Sequence, residues 1–575
     1  MFIRKINNKK TGKTYLSIVQ SYYDKTTHST KSVTIKSLGC LDELKKTYSD
    51  PIAHFSEVVA KMNEEKDAEN LPPKLTINTK KQLENNSINR KNFGYAVLSK
   101  IYHELELDKF FINRQRHLNI KYSLNNIVKL LVFSRILNPS SKKKTFENKD
   151  NFFEKFDFSL DDVYRSLPVI NKHKNELQSW LHHHIKQQYN RSTELVYYDV
   201  TNYYFEIDKP DNLRKKGVSK EHRPNPLVQM GLLMDSVGMP IAYKLFSGNT
   251  SDKTTLIPIL DQLKNSYDLG RIIVVADRGL NTSDNICHNL LNGNGYVYSQ
   301  TIRGANKEFK DYVLNDDDYV WIGGNYKKKS RHYPREITIT NIHGKKTKYR
   351  IDEKQVVFYS RDYDNRAKKE REPIIQKALE LINNPSKFNK ATSFGAAKYV
   401  KDLVFDTTTG EILTVGHKPK LDIDKLREDE KFDGYYAIVT SEYKESDERI
   451  IEIYRGLWRI EESFRITKGD LSARPVYLSR EEHIEAHFLT CFLALTILRI
   501  LGHRIENKYS PAKVIECLNN SSCAYVQENL YMFDFYNDIL HYIGQTFDID
   551  FSKKFMCLNN IKKILGNTKK DNFTP

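Results

Sequence analysis

The chain has 575 residues, 39% of them hydrophobic and 11% aromatic, and a formal net charge of +18. Its length excludes a single ordinary domain, and its hydrophobic content excludes a disordered chain. So large a cationic excess points to a polyanionic partner, nucleic acid being the commonest, although a lysine-rich proteome produces the same bias.

Six cysteines (Cys40, Cys287, Cys491, Cys517, Cys523 and Cys557) are scattered, with no CxxC pair and no Cys/His metal spacing. That pattern suits a reducing cytosol. The opening MFIRKINNKK has no apolar core of signal-peptide length. Phe488–Leu501 is the most apolar stretch, but Arg499 breaks it, so it reads as a buried helix. The expectation is a cytoplasmic, nucleoid-associated protein with no membrane partner.

Residues 1–65 read as a small β-rich N-terminal domain, with short paired strands in KTGKTYLSIVQSYY and TKSVTIKSLG and a helix from Pro51 to about Glu65. Residues 66–92 are polar, contain LPPKL and read as a linker. Residues 93–190 have helical spacing throughout and are the expected DNA-binding region. His182, His183 and His184 are consecutive, so on a helix they point apart and cannot share one ion.

At residue 191 the pattern turns to strands. ELVYYDVTNYYFE is β-prone, LVQMGLLMDSVGMPIAYKLFSG reads as two strands joined at Asp235–Gly238, and SDKTTLIPILDQLKNSY as a helix. RIIVVADRG is a short, wholly apolar strand of the kind buried in a sheet; a helix ending in glycine and the strand YVYSQTI follow. Three strands, helix, strand, helix, strand is the order of an RNase H-like core, so the fold class is α/β with a mixed-sheet core. Residues 191–302 form its first part and residues 431–505 its second. Between them, residues 303–430 read as a largely β, basic insertion carrying Lys327–Lys329, Arg331, Lys345, Lys346, Lys348 and Arg350, then a helix with Arg366, Lys368, Lys369 and Arg371. Residues 506–575 read as a helical, basic tail.

Three acids stand out by context. Asp199 ends the apolar run LVYYD, and Asp277 ends IIVVAD. On neighbouring strands of one sheet they make a cage for Mg²⁺, which prefers carboxylate oxygens and keeps several waters. The third lies in YRGLWRIEESFRITKGDL, where a single helix would set Tyr454, Glu461 and Lys468 on one face with Trp458 and Arg465 beside them. A carboxylate flanked by cations and an aromatic ring suits a nucleic-acid backbone. An ordinary amphipathic helix with a Glu461–Arg465 ion pair fits the same spacing, and Glu462 competes for the metal role.

The segment resembles the signature of insertion-sequence DDE transposases of the "insertion sequence four" superfamily: Tyr, two residues, Arg, three residues, Glu, six residues, Lys. Tyr454, Glu461 and Lys468 fall on it, whereas Leu457 stands at the arginine position, leaving Arg455 or Arg459 to supply the cation. YYDVTNYYFE, ADRGLNT and the long insertion are similar to the same group. The resemblance implies an enzyme that binds the terminal inverted repeats of its own element and cleaves and joins DNA. Asp199, Asp277 and Glu461 would hold Mg²⁺ or Mn²⁺, two ions in all, and a homodimer would act on double-stranded DNA. Tyr454, Arg455, Trp458, Arg459, Arg465 and Lys468 would contact DNA. Another RNase H-like nuclease and a non-catalytic DNA-binding descendant are the competing readings.

Overall fold

In the first fifty residues β-branched and aromatic side chains alternate with polar ones, and they form a three-stranded antiparallel sheet: Phe2–Asn7, Thr14–Asp24 in the centre, and Ser29–Cys40. The helix Pro51–Ala68 follows, with the Asp50 carboxylate accepting from the amides of Ile52 and Ala53 and Pro51 at its first turn. The computed structural model describes all residues except 8–11, 25–28, 69–79, 81, 83, 84, 86, 88, 220–224, 268, 341, 342, 390, 391, 394, 406–411, 414–418 and 571–575. Residues 1–87 form one unit and residues 88–575 another. Most of the expected linker, LPPKL included, lies outside the described residues.

After the short strand Arg90–Asn92 the second unit continues in helices. Among them α1 (Leu124–Leu137) starts at Ser123, whose hydroxyl accepts from the Asn126 amide, and nearly every residue of α1 is buried. The three histidines diverge as their spacing requires: His182 is buried and held far below its usual pKa, at about 3, by desolvation, His183 is exposed, and His184 stacks on Trp180.

The core strands are β1 (Leu195–Tyr204), β2 (Leu227–Asp235) and β3 (Pro240–Ser247), then β4 (Ile273–Ala276) and β5 (Gly295–Ser299). Helix α2 (Leu256–Ser266) precedes β4 and α3 (Ser283–Leu291) precedes β5. β1, β2 and β3 are antiparallel, whereas β4 and β5 run parallel to β1. This is the RNase H-like arrangement expected. The insertion does not stand apart from it. β6 (Val320–Ile322), β7 (Tyr326–His332), β8 (Lys354–Ser360) and β9 (Tyr435–Thr440) extend the same sheet, giving nine strands in the order β6-β7-β8-β9-β5-β4-β1-β2-β3. The insertion also holds the long helix α4 (Arg361–Asn383).

Its basic run proves to be interior. Lys327, Lys328 and Lys329 are buried: Lys327 lies 4.3 Å from the Tyr319 ring centroid and 5.3 Å from that of Trp321, and Lys329 lies 4.3 Å from those of Tyr312 and Tyr319. Aromatic faces and the acids Asp316 and Glu448 hold these cations. In α4, Arg371 is buried against Asp433, while Arg366 and Lys368 pair with Glu370 and Asp364.

Two helical expectations change. The segment 447–502 is three helices, α5 (Asp447–Arg455), α6 (Trp458–Lys468) and α7 (Glu481–Arg504). The tail contains a hairpin, Ser522–Gln527 with Leu530–Phe533, closed by Glu528 and Asn529, both at positive φ as a two-residue primed turn demands. Arg90–Asn92, expected in the linker, pairs with its first strand. α7 is long and apolar enough to cross a membrane, alone in this among the described residues, and most of it is buried inside the protein.

One buried ion pair ties the helical layer to the sheet. Arg191, just after the helix Lys174–Tyr189, donates to Asp235 at 2.8 Å and to the Pro240 carbonyl at 2.8 Å. Asp235 also accepts the amides of Val237 and Met239, closing the β2–β3 turn. Both side chains are 1% exposed, and breaking such a pair strands the remaining charge. Arg191→Leu is therefore expected to lower the unfolding free energy by roughly 3–5 kcal/mol in urea denaturation; a loss below about 1 kcal/mol would show that Asp235 finds another partner.

Candidate active site

Side chains along a strand alternate between faces, and here the alternation decides where the acids point. On β1, Val196, Tyr198 and Val200 pack into the core beneath α2 and α3. Tyr197 and Tyr203 enter the opposite core, the one that contains α5, α6 and α7. Asp199 shares their parity and therefore their face. β1 does not end at Asp199, as LVYYD had suggested; it runs on to Tyr204 and leaves the acid half-buried in mid-strand.

Asp277 follows the last residue of β4 and shares the parity of Ile273 and Val275, which belong to the same core as Tyr197. Because Tyr198 pairs with Ala276 in the parallel register, Asp199 and Asp277 occupy successive, adjoining positions on neighbouring strands. On its other side β4 pairs Ala276 with Tyr298, which places Ser299 beside Asp277. The Ser299 hydroxyl donates to Asp277 Oδ1 at 2.7 Å.

Two tyrosines of β1 seat the covering helices. Tyr197 donates its hydroxyl to the Ile453 carbonyl of α5 at 3.0 Å, and the Tyr203 hydroxyl lies 2.9 Å from Thr467 Oγ1 of α6. Between these helices Gly456 passes so close to Tyr197 that a Cβ there would meet the phenol oxygen at 2.1 Å. Tyr454 and Glu461 lie on two helices, α5 and α6, on either side of this glycine. Tyr454 nonetheless arrives over the acids, donating to Asp277 Oδ1 at 3.5 Å. Its pKa is raised first by burial, then by the charge of Asp277, with Glu461 adding to the shift, so it remains a protonated donor. Glu461 is exposed.

Glu462 is spoken for. Arg499 of α7 pairs with it at 2.7 Å and also donates to Ser463 Oγ and the Arg459 carbonyl. Arg465 turns to Asp470, 3.6 Å away, not to Glu461. Leu457 is buried in the core and carries no cation to the site. Arg455 is exposed over the Tyr326 ring, Arg459 lies against exposed Trp458, and half-buried Lys468 lies over the Tyr203 ring.

Asp199, Asp277, Ser299 and Tyr454 are thus brought together, with Glu461 within electrostatic reach of the same phenol. Among the described residues no three Asp, Glu, His or Cys side chains are already gathered tightly enough to enclose an ion. The donor chemistry nevertheless fits a hard divalent cation, since the available groups are carboxylate oxygens. Beside Asp277 opens a cleft of about 320 Å³ that also involves Ser299, Arg278, Arg303, Tyr363 and Tyr436. Sequence reasoning did not single out Ser299 or this aromatic and basic lining. The only signal for Ser299 was its place at the end of YVYS, level with Asp277.

Residues 214–497 match the family model described as the transposase DDE domain, and residues 3–73 match the N-terminal domain of the IS1634 family transposases. Together the matches take in more than half of the chain. The chain belongs to the insertion-sequence DDE transposases. The first match spans Asp277, Tyr454, Glu461 and Lys468, while Asp199 lies before its start. Comparison with curated proteins returned no match. A solved structure of a piggyBac transposase synaptic complex with hairpin DNA is similar at a TM-score of 0.36 and 7% identity, over 84% of this chain and 85% of that one. This transposase is accordingly a DNA-transposing enzyme of a family that uses divalent metal ions.

The two adjacent glutamates of this transposase separate in one comparison. Glu462→Gln removes the negative charge opposite Arg499 and is expected to lower stability by roughly 1–3 kcal/mol while leaving metal-dependent activity below the melting point. Glu461→Gln is expected to leave the melting temperature unchanged and to abolish activity. The reverse pattern would exchange their roles.

Proposed function

We propose that Asp199, Asp277 and Glu461 form the metal-holding triad of this transposase, with two Mg²⁺ or Mn²⁺ ions, acting on the terminal inverted repeats of its element. The observation that carries this reading is the register: Asp199 and Asp277 adjoin on parallel neighbours, on the face where α5 and α6 deliver Tyr454 and Glu461. Bound there, the ions would activate the attacking oxygen and stabilise the leaving one in an in-line displacement at phosphorus.

The residues of the chain supply the rest. Ser299 and Tyr454 both donate to Asp277 Oδ1, fixing the orientation of that carboxylate. Arg455, Trp458, Arg459, Arg465 and Lys468, with Tyr454, line the approach for the DNA backbone. At the element's end a water oxygen bonds to phosphorus as the P–O3′ bond breaks, and the departing 3′-oxygen takes up a proton. That 3′-hydroxyl then attacks a target phosphorus, breaking one target P–O3′ bond and joining element to target. Segments before Glu194 read the repeat, a homodimer holds the two ends, and the reaction takes place in the cytoplasm on nucleoid DNA.

The test is cleavage of DNA carrying the element's own end, with Mg²⁺ or Mn²⁺, by the wild-type protein and by Asp199→Asn. The variant is expected to lose roughly a thousandfold or more of the cleavage rate, as when one member of a catalytic unit is removed, while binding the same DNA. Cleavage that survives removes Asp199 from the site, and cleavage indifferent to the repeat makes the protein a general nuclease. Lys468→Ala is expected to lower the slope of log affinity against log salt by about one; an unchanged slope would leave Lys468 as packing on Tyr203.

A further inference from the structure

Behind the end of β1, where Arg474 lies over the Tyr204 ring, a cleft of about 210 Å³ opens between α1, the short helix Lys142–Glu147, the loop after α6, and α7. It has room for roughly seven water molecules by volume. Arg135, Lys142, Arg474 and His487 contribute to its wall, with Ser140, Ser141 and Tyr477 at hand; among the described residues no Asp or Glu lines it.

Two of the cations are interior. Lys142 is 5% exposed and Arg135 6%. Arg135 donates only to main-chain carbonyls, those of Leu471, Ser472 and Ser140, and its Nε has no partner. Lys142 reaches only His487 Nδ1, at 3.4 Å. The other imidazole nitrogen, Nε2, lies 3.0 Å from the Ala473 carbonyl and so carries the proton, which makes Nδ1 an acceptor. Burial and the charges of Lys142 and Arg135 hold His487 well below its usual pKa, so it brings no negative charge and no positive one. Burial, reinforced by Arg135, also pulls the Lys142 amine down to about 7. Among the described residues, neither Arg135 nor Lys142 has a carboxylate partner.

Other buried cations of this protein face an acid, as with Lys129 and Glu154 at 2.7 Å or Arg191 and Asp235, or, like Lys329, the faces of two tyrosine rings and two carbonyls. A buried amine and guanidinium facing one cleft without a counter-ion carry a desolvation cost, which the amine escapes by losing its proton and the guanidinium only by gaining an anion. We propose that this cleft seats one backbone phosphate of bound DNA, with Lys142, Arg135 and Arg474 as its cationic wall and the Ser140 and Ser141 hydroxyls as further donors. The inference rests on the reading of the protein as a DNA transposase. Asp199 and Tyr204 are separated by five strand steps, roughly 17 Å, the axial rise of about five nucleotides along one strand. A strand cut at Asp199 and passing Lys468 over Tyr203 would reach the cleft beside Tyr204 within half a helical turn.

The experiment measures affinity for a duplex carrying the element's end across a salt series, without metal, for the wild type, Lys142→Met and Arg474→Gln. Melting curves with and without inorganic phosphate accompany it. Each variant is expected to bind several-fold more weakly, with the slope of log affinity against log salt reduced by about one. Lys142→Met is expected to melt no lower than the wild type, since it removes a buried charge that lacks a partner. If it fails to fold, Arg474→Gln at the rim carries the test alone. Unchanged slopes with wild-type DNA binding overturn the proposal and leave the transposase reading standing. If inorganic phosphate then raises the wild-type melting temperature but not that of Lys142→Met, the cleft serves a free anion. Absence of salt-dependent DNA binding by the wild type removes both readings.

Discussion

Everything at the candidate site depends on the register of β1. Asp199 lies between Tyr197 and Tyr203, and each of these phenols makes one hydrogen bond to a covering helix, to the Ile453 carbonyl and to Thr467 Oγ1. Both rings are buried, so a hydroxyl left without its partner would cost about 1–3 kcal/mol. Slipping the strand by one residue would turn every side chain to the opposite face, taking both phenols from their helices and Asp199 from Asp277 at once. Tyr198 resists the same slip from below, because its hydroxyl fills the space that a side chain on Gly231 of β2 would need. The acid is positioned by packing on both faces of its strand.

That constraint explains which parts of the site were legible in the sequence. The β-prone strings around Asp199 and Asp277 made neighbouring strands a sound expectation, because a run such as IVVA, buried on both faces, belongs in the middle of a sheet. The spacing of Tyr454, Glu461 and Lys468 was legible too, but the single helix it implied was not formed. Helical periodicity contains no information about the break between α5 and α6, where Gly456 lies too close to Tyr197 for any side chain. Likewise nothing local distinguishes Glu461 from Glu462. The distinction comes from Arg499, on a helix that reaches Glu462 only in the fold.

The remaining differences share this cause. Arg90–Asn92 reads as polar linker until Ser522–Gln527 arrives from the far end of the chain to pair with it. β7 and β8 read as a separate insertion because the strand that joins them to the core, β9, enters only at Tyr435. Lys327 and Lys329 read only as part of a basic segment, since the rings that enclose them come from several separate segments. Local pattern reports strand or helix; partners distant in the chain decide which face is buried and which charge is spent.

The last point bears on the net charge of +18. Read as a total, it implies a nucleic-acid partner without saying where that partner lies. Much of the positive charge is already balanced inside the protein: Lys327 by aromatic faces and Asp316, Arg371 by Asp433, Lys129 by Glu154, Arg191 by Asp235. Each such pair adds nothing to the net charge, since its acid is counted in the same sum, and contributes little to a DNA surface, because the two fields cancel within a few ångströms. The informative cations are buried ones without a carboxylate, since a buried charge left unpaired costs the free protein stability. Arg135 and Lys142 meet that description beside one cleft, near the end of the strand that carries Asp199. Imbalance located in this way, and not the overall excess, relates the composition of the chain to the path of a bound strand.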